Sequence, residues 1–446
     1  MTTKSQAPAG RIVGHPVFSQ PQPTADPTSF RVKHASDGAA YKEIDQLNRE
    51  HKLAPLPFDP PRGLPEPRLT LGQVLGDNDV AAKAVQGITS YGAIVFHSTG
   101  DCGSTIGPST QSGVTDKMVS DFDEAHPQQA PAFNLLLGDI VYSFGEAHYY
   151  YDQFYEPYRE YPAPILAAAG NHDGMVSPLA HAKSLDAFYR NFCSPGYVIS
   201  PDAGGLSRTA QIQPGVFFTF EAPFVRILVL YSNTLEDPGV IADGSIGTSQ
   251  VDFLHAALQR VKKEKFTGAL LFAHHHPPYT VARHGWSVKM QQDIDAVCNA
   301  VGVWPHADLA GHAHNYQRFT RTRGSGQEIP YIVCGNGGHG VQKLAGAGAL
   351  RAPQVIQSAS ATADQIVLEN YDDQDYGYLR VVANATQLRI EYHPASDGSQ
   401  TKAPDDSVTV DLASRKLVHF AASDLGWPAK AAEVHKSRTH AKRAKP

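Results

Sequence analysis

Five short apolar runs between residues 92 and 314 constrain the fold of this chain more than any other feature. The runs read GAIVFHS, FNLLLGD, PILAAAG, GALLFAH and ADLAGHAH, and longer helix-like or irregular stretches separate them. Segments that are apolar at successive positions are typical of strands buried on both faces of a sheet. We therefore predict a mixed α/β (α+β) fold, in which a β-sandwich is flanked by α-helices.

Each apolar run is followed at once by side chains that bind hard or borderline metal ions. These side chains are Asp101, Asp139, Asn171, His275 and the pair His312 and His314. The carboxyl ends of the strands share one edge in an open α/β sheet, so we expect these side chains to converge in one crevice. Carboxylate, amide and imidazole donors suit ions such as Mn, Fe and Zn, and the absence of clustered thiolates disfavours a structural zinc site. So many donors favour two ions, about 3.5–4 Å apart and bridged by a carboxylate.

The pattern outside these runs predicts further helices and strands. Residues 249–266 predict a helix with Val251, Leu254, Leu258 and Val261 on one face and a basic end. Residues 215–233 predict a hairpin that turns at Pro223, residues 37–53 a short helix, and residues 325–393 further strands.

The predicted division of the chain has four parts. They are a mobile N-terminal arm (1–30), an N-terminal extension with a Pro-rich linker (31–88), a catalytic domain (89–393) and a C-terminal extension with a basic tail (394–446).

Charge and cysteine content exclude several classes of function. The net charge of −6 predicts no general attraction to nucleic acid or to anionic membranes. No stretch approaches a membrane-spanning length and the start lacks an apolar signal region, so we expect a soluble, cytoplasmic protein, or a secreted one if a leader is missing. Four widely spaced cysteines argue against a zinc knuckle or a dense disulfide framework and leave one or two disulfides open. We expect Cys102, beside the first aspartate, to be a buried inert thiol.

Five sequence blocks at the ends of these runs resemble a known family. The blocks are GDCG (100–103), GDIVY (138–142), GNHD (170–173), HHHPPY (274–279) and GHAH (311–314). Their residues and order resemble the motifs of calcineurin-like metallophosphoesterases and, within them, of the purple acid phosphatases. Many relatives carry a ligand histidine where this chain has Gly103, and Tyr142 of the second block replaces that ligand, as in the purple enzymes. The resemblance covers roughly residues 89–345.

The resemblance implies a dinuclear phosphatase that hydrolyses phosphate monoesters through attack by a metal-bound hydroxide. It implies a first metal held by Asp101, Tyr142 and His314, a second held by Asn171, His275 and His312, and Asp139 as the bridge. A phenolate ligand favours a strongly Lewis-acidic ion such as Fe(III), with Fe(II), Zn or Mn as its partner. The protein is then expected to be coloured, because iron–tyrosinate charge transfer gives that family its name.

The HHHPPY block raises the question of which histidine binds metal. The family pattern selects His275, with His276 as the alternative, and we expect His274 to be structural and His276 to face a loop. The resemblance also implies that His172 and His284 are not ligands but lie near the substrate. Imidazolium groups there bind phosphate and protonate the leaving alkoxide.

Two other functions remain open at this point. A phosphodiesterase on the same fold would act on cyclic nucleotides or phospholipid headgroups, whereas a non-catalytic metal-bound module would use the arm and tail to bind a partner. We favour a small phosphate ester as the substrate, with no nucleic-acid or membrane partner, and make no prediction of the oligomeric state. The GNGGHG segment (335–340) predicts a tight turn near the site that uses positive φ angles.

Overall fold

The structure is a computed structural model of the chain. It describes residues 10–20, 38–179, 182–344, 350–356, 364–396 and 403–419. Most of the predicted N-terminal arm, and the basic tail at the other end of the chain, lie outside the described residues.

Within the described residues the helices are short to medium in length. The α-helices are α1 (Ala39–Arg49), α2 (Leu71–Val74), α3 (Asp79–Tyr91), α4 (Ser109–Val119), α5 (Asn171–Gly174), α6 (Asp186–Phe192), α7 (Ser249–Glu264) and α8 (Val288–Val301). Single turns of 3₁₀-helix span Pro127–Gln129, Ala147–Tyr149 and Pro201–Ala203, and a π-helical turn spans Tyr151–Tyr155. None of the helices described is long and apolar enough to cross a membrane.

The strands are numbered in chain order. They are β1 (Arg11–Ile12), β2 (Arg68–Thr70), β3 (Ala93–Thr99), β4 (Asn134–Leu137), β5 (Ile165–Ala168), β6 (Val198–Ile199), β7 (Phe218–Ala222), β8 (Val225–Val229), β9 (Ala269–Ala273), β10 (Ala307–Ala310), β11 (Tyr316–Thr322), β12 (Glu328–Cys334), β13 (Gln354–Ile356), β14 (Gln365–Asp372), β15 (Gly377–Asn384), β16 (Gln387–Pro394), β17 (Asp406–Asp411) and β18 (Lys416–Leu417).

Two large mixed sheets form the body of the protein. A seven-stranded sheet has the order β18-β17-β16-β15-β3-β4-β5, and a nine-stranded sheet has the order β13-β14-β11-β12-β10-β9-β8-β7-β2. All five apolar runs form strands, but three of these lie in the first sheet and two, β9 and β10, in the second. The expectation of one shared sheet edge is therefore wrong in detail, since the candidate ligands come from the parallel centres of two sheets.

Alternation of side chains along the strands shows how the layers pack. Leu135 and Leu137 of β4 and Leu271 of β9 belong to one hydrophobic cluster that contains residues of both sheets, the interior of a β-sandwich. Leu136 and Leu270 point the other way and pack in the cluster that includes the helices. Each central strand is apolar at successive positions because both of its faces are covered. The predicted sandwich flanked by helices is confirmed.

The predicted local elements are also confirmed. The hairpin is formed by β7 and β8, with Ala222 opposite Val225 and the turn at Pro223 and Phe224. Helix α7 buries Leu254 and Leu258 in the core and ends in a basic turn. Helix α1 lies within the predicted segment 37–53.

Segments of both predicted extensions pair with the rest of the protein. Strand β2 adds to the nine-stranded sheet in parallel with β7, and β17 adds to the seven-stranded sheet beside β16. Residues Arg11–Ile12 form a small antiparallel pair with β6. The backbone hydrogen bonds of β2 and β17 fasten the two extensions to the sheets of the sandwich, and those of β1 join part of the predicted arm to β6.

We predict that the sandwich interior supplies much of the stability. Leu271→Ala removes a fully buried side chain between the sheets and leaves a cavity, so we expect a loss of about 2–5 kcal/mol in unfolding free energy. The matched control is Leu179→Ala at a side chain that is 87% exposed, with an expected change below about 0.5 kcal/mol. Denaturant unfolding measures both, and equal effects would contradict the assignment of the core.

Candidate metal centre

The backbone turns sharply where the candidate ligands leave their strands. Asp101, Asp139 and His312 have φ angles of 55°, 53° and 68°, in the left-handed region that non-glycine residues rarely adopt. Such conformations cost free energy and are concentrated at functional sites, where the surroundings hold them in place. Here they direct three side chains from two sheets toward the same point.

Glycines next to the ligands allow the strand ends to approach each other closely. A Cβ atom on Gly138 would lie 2.5 Å from His275 Nδ1, and one on Gly170 would overlap the carboxylate of Asp139. Gly138 also has a φ of 94°. The glycines of GDIVY and GNHD are therefore required for the packing of the centre itself.

Two carboxylates form the middle of the centre, and each uses its two oxygens differently. Asp101 Oδ2 accepts a hydrogen bond from the backbone N–H of His312 at 2.7 Å, and Asp139 Oδ1 accepts one from the N–H of His172 at 2.9 Å. The other oxygens, Asp101 Oδ1 and Asp139 Oδ2, face the remaining predicted ligands. Both side chains are almost completely buried. One oxygen of each carboxylate thus fixes its orientation, and the other is directed into the centre.

Asp101, Tyr142 and His314 form the first group of predicted ligands. The Tyr142 hydroxyl donates to Asp101 Oδ1 at 3.0 Å and lies 3.4 Å from His314 Nε2. His314 Nε2 is 3.3 Å from the same carboxylate oxygen. Three potential donor atoms therefore surround one small space.

Asp139, His275 and His312 form the second group. His275 Nε2 lies 3.2 Å from Asp139 Oδ2 and 3.2 Å from His312 Nδ1. The three residues each offer a ligand atom within 4.8 Å of the others, a spacing compatible with one ion. His275 Nε2 is also 4.0 Å from Asp101 Oδ1, so the two groups adjoin.

Asn171 gives the clearest indication that a cation belongs here. Its side chain is fully buried, yet neither the oxygen nor the nitrogen of its amide has a hydrogen-bond partner. An unpaired buried amide costs free energy, and coordination of a cation by its oxygen would compensate that cost. Because Asn171 lies between Gly170 and His172, which both contact Asp139, its position fits the second group.

The tautomers of two histidines also fit metal binding. His275 Nδ1 is 2.7 Å from the carbonyl oxygen of Leu137, and His314 Nδ1 is 3.1 Å from that of Gly340. A carbonyl only accepts hydrogen bonds, so each Nδ1 carries the proton and each Nε2 presents a lone pair to the centre. In metal sites, a hydrogen bond from the ring nitrogen that faces away from the ion orients the imidazole in this way.

The other two histidines of the triplet are occupied elsewhere. His276 Nδ1 is 2.7 Å from the Ser232 hydroxyl, and its Nε2 donates to the carbonyl of Leu235 at 2.8 Å. His276 is fully buried, and its ring faces the loop after β8, in line with the expected loop-facing placement. His274 lies 3.1 Å from Asp308, in a buried structural pair. His275 alone of the three faces the carboxylates of the centre.

The electrostatics favour a cation and make its binding depend on pH. Burial alone would lower the pKa of His275, but Asp139 and Asp101 raise it to about 10. Burial, followed by the same two carboxylates, raises the pKa of Tyr142 well above its ordinary value. Metal binding therefore displaces protons, and a phenolate at Tyr142 requires a strongly polarising ion.

The two predicted non-ligand histidines lie beside the centre. His172 donates from Nδ1 to the carbonyl of Ser143 at 2.7 Å, so its Nε2 faces Asp139 Oδ2 at 3.9 Å. The His284 ring lies 4.2 Å from that of His312, and its side chain is 19% exposed. His284 is thus the imidazole that solvent reaches more readily.

The sequence analysis missed two acidic residues. Glu236 and Asp237 lie in the loop after β8, and Glu236 forms a potential cation-binding group with His284 and His312. Asp237 Oδ2 is 3.3 Å from His284 Nδ1, and its Oδ1 is 3.6 Å from His312 Nε2. The segment SNTLEDP matches none of the five sequence blocks. Its position directly after a buried strand was the one feature that could have indicated a site residue there.

The GNGGHG segment lies at the centre for a different reason from the one predicted. None of its four glycines has a positive φ angle. A Cβ atom on Gly335 would instead lie 2.7 Å from Asp101 Oδ2, so close approach requires glycine here. His339 stacks on the Tyr142 ring with centroids 3.7 Å apart and donates to the carbonyl of Gly103 at 2.9 Å. Nearby Cys102 and the other three cysteines are buried, and none of them forms a disulfide.

Comparison with known proteins agrees with the sequence blocks. The family model for the calcineurin-like phosphoesterases matches residues 96–316, about half of the chain. "Probable inactive purple acid phosphatase 9" of Arabidopsis thaliana is 23% identical over 301 residues, which cover 62% of this chain and 43% of that protein. The chain thus matches less than half the length of this curated relative.

Two solved structures are more distant in sequence. GAP50, described as the anchor in the inner membrane complex of Plasmodium, has a TM-score of 0.47 at 10% identity and covers 72% of this chain and 88% of its own. A dimetal phosphatase from Danio rerio has a TM-score of 0.40 at 11% identity and covers 72% of this chain and 99% of its own.

The sandwich and the matched segment define a metallophosphoesterase domain, a fold of metal-dependent phosphoesterases with dinuclear sites. The chain belongs to the calcineurin-like metallophosphoesterase superfamily. The blocks that indicated this family are the segments that form the centre.

We predict that His275 and His276 differ sharply in their effect on metal content. His275→Ala removes an imidazole directed at Asp139, so we expect it to lower the bound metal to about half of the wild-type amount, as one of two ions is lost. His276→Gln retains hydrogen-bonding groups outside the centre, so we expect wild-type metal content. Elemental analysis of the purified proteins checks both, and the reverse pattern would overturn the choice of His275.

Proposed function

We propose that this protein is a dinuclear metal-dependent phosphatase that hydrolyses phosphate monoesters, similar to the purple acid phosphatases. The convergence of seven buried donor residues on one place carries the proposal. The set consists of Asp101, Asp139, Tyr142, Asn171, His275, His312 and His314.

The donor set divides naturally between two ions. Asp101, Tyr142 and His314 would hold one ion and Asn171, His275 and His312 the other, with Asp139 between them. Bound there, two ions would polarise a phosphoryl group and activate water for in-line displacement. The unpaired amide of Asn171 and the orientation of the Nε2 atoms support this assignment.

His172 and His284 supply the groups that handle phosphate and protons. Burial lowers the pKa of His284, but Asp237 raises it above the ordinary histidine value overall, which favours the protonated ring. His284 is then placed to bind a phosphate oxygen and to protonate the leaving alkoxide. His172, anchored by Ser143, presents its Nε2 beside Asp139 and assists in binding the phosphate.

The known relative raises the question of whether this chain is active. That protein is described as probably inactive, whereas in this chain none of the seven donor positions has lost its ligand side chain. Two imidazoles also accompany the donors, placed to bind phosphate and to protonate a leaving alkoxide. These features support catalysis over a purely structural metal site.

A phosphodiesterase is the second candidate, and one observation favours it. Glu236 and Asp237 lie 3.6 Å and 3.3 Å from the imidazoles of His172 and His284. These carboxylates offset the positive charge that would attract the second negative charge of a monoester. A diester carries one negative charge less, so these carboxylates weaken its binding less.

Substrate preference tests the proposal directly. We expect the metal-loaded protein to hydrolyse p-nitrophenyl phosphate with a kcat/KM at least about tenfold above that for bis(p-nitrophenyl) phosphate. The reverse preference would establish the diesterase. Full metal content without turnover of either ester would instead indicate a non-catalytic module.

The identity of the first ion has its own test. We propose Fe(III) beside Tyr142, with Fe(II), Zn or Mn as its partner, because the raised pKa of this phenol requires a strongly acidic ion to displace the proton. The purified protein should then show a visible absorption band that Tyr142→Phe removes. The control Tyr189→Phe lies outside the centre and should keep the band; a band retained in Tyr142→Phe would mean another chromophore.

A further inference from the structure

Helix α1 packs directly on two loops of the metal centre. It shares a small hydrophobic cluster with Phe144 and Met175, separate from the two large cores. Phe144 follows Tyr142 by two residues, and Met175 follows Asn171 by four. The helix lies outside the segment 96–316 that matches the family, so nothing in that match assigns it a role.

One side chain of the helix connects it to the charged groups of the centre. The Tyr41 hydroxyl donates to Glu236 Oε1 at 3.0 Å, and the Tyr41 ring lies 5.3 Å from that of His172. Helix α1 also holds the backbone of the loop after β8, because the N–H of Glu236 in that loop donates to Asn48 Oδ1 at 3.2 Å. Both the main chain and the side chain of Glu236 are thus held by α1.

Glu236 in turn faces the imidazole of His172. Its Oε1 atom, which accepts from Tyr41, is 3.6 Å from His172 Nε2. The opposite ring nitrogen donates to the carbonyl of Ser143, so the ring is held at one side by the backbone and faced at the other by Glu236. Burial and then Glu236 raise the pKa of Tyr41, so the hydroxyl keeps its proton and remains a donor.

We propose that Tyr41 and Glu236 are positioning residues for His172, and that helix α1 is therefore part of the active site. Without the Tyr41 hydroxyl, Glu236 loses the partner that holds its carboxylate, and His172 loses a fixed neighbour at Nε2. The inference rests on the proposed function in one respect, namely that His172 acts on the phosphate ester. If α1 served only to cover the loops, the Tyr41 ring would suffice and its hydroxyl would be dispensable.

Kinetics of single and double variants test the chain of contacts. We expect Tyr41→Phe and Glu236→Gln each to lower kcat/KM for p-nitrophenyl phosphate by about 10–100-fold, with wild-type metal content. Because the two residues act through the same imidazole, the double variant should lose no more than the worse single variant. A wild-type kcat/KM for Tyr41→Phe, or effects that multiply in the double variant, would overturn the proposal.

Tyr189→Phe is the matched control. Tyr189 is also half-buried, and its hydroxyl also contacts the N-terminal extension, accepting from the N–H of Asp59 at 2.9 Å. It lies outside the centre, so we expect its kcat/KM to stay within about twofold of wild type. A loss equal to that of Tyr41→Phe would mean that fastening the extension, rather than positioning His172, is what matters.

A spectroscopic measurement separates this inference from the proposed function. Ring ¹⁵N signals of histidine-labelled full-length protein, with His172 assigned from a His172→Gln variant, report the environment of its Nε2. We expect Tyr41→Phe to shift this signal and Tyr189→Phe to leave it in place. If the wild type fails to hydrolyse the ester, the proposed function fails, but the shift still decides whether Tyr41 positions His172. An unshifted signal would overturn the inference whatever the activity.

Discussion

The structure depends on one costly arrangement, two buried aspartates surrounded by buried imidazoles, a phenol and an amide. Burying charged and polar groups costs free energy unless they gain new partners. The buried amide of Asn171 has no hydrogen-bond partner, so the surrounding protein groups do not offset this cost in full. A pair of cations bound there would offset the charge of both carboxylates and give the amide oxygen of Asn171 a partner. The left-handed conformations of Asp101, Asp139 and His312 also cost free energy, and close contacts restrict neighbouring positions to glycine. Both features bring the donor side chains together at the centre.

The centre depends on the packing of the two sheets against each other. The aspartates, Tyr142 and Asn171 follow strands β3, β4 and β5, whereas the predicted histidine ligands follow β9 and β10. The donor set therefore exists only when the sheets are packed face to face over the shared hydrophobic interior. Metal binding and the docking of the sheets should stabilise each other, because ions bound between them favour the folded state.

Much of the fold was predictable because its signals are local. Successive apolar positions predicted β3, β4, β5, β9 and β10, and Pro223 and the periodicity of residues 249–266 predicted the hairpin and helix α7. The positive φ angles predicted for GNGGHG were wrong, because close packing rather than backbone conformation requires glycine there. Glu236 and Tyr41 were missed, since their positions depend on how a loop and a distant helix pack on the centre.

The sequence by itself determined the strands, the donor types and their order, because hydrophobic pattern and motif spacing are properties of short segments. Only the tertiary structure decided that the donors come from two sheets, that His275 and not His276 faces the aspartates, and that α1 contacts the centre. Those outcomes depend on distances between residues far apart in the chain, such as the 195 positions between Tyr41 and Glu236. Local preferences do not encode such distances; the packing of the two sheets and of the helix on their loops sets them.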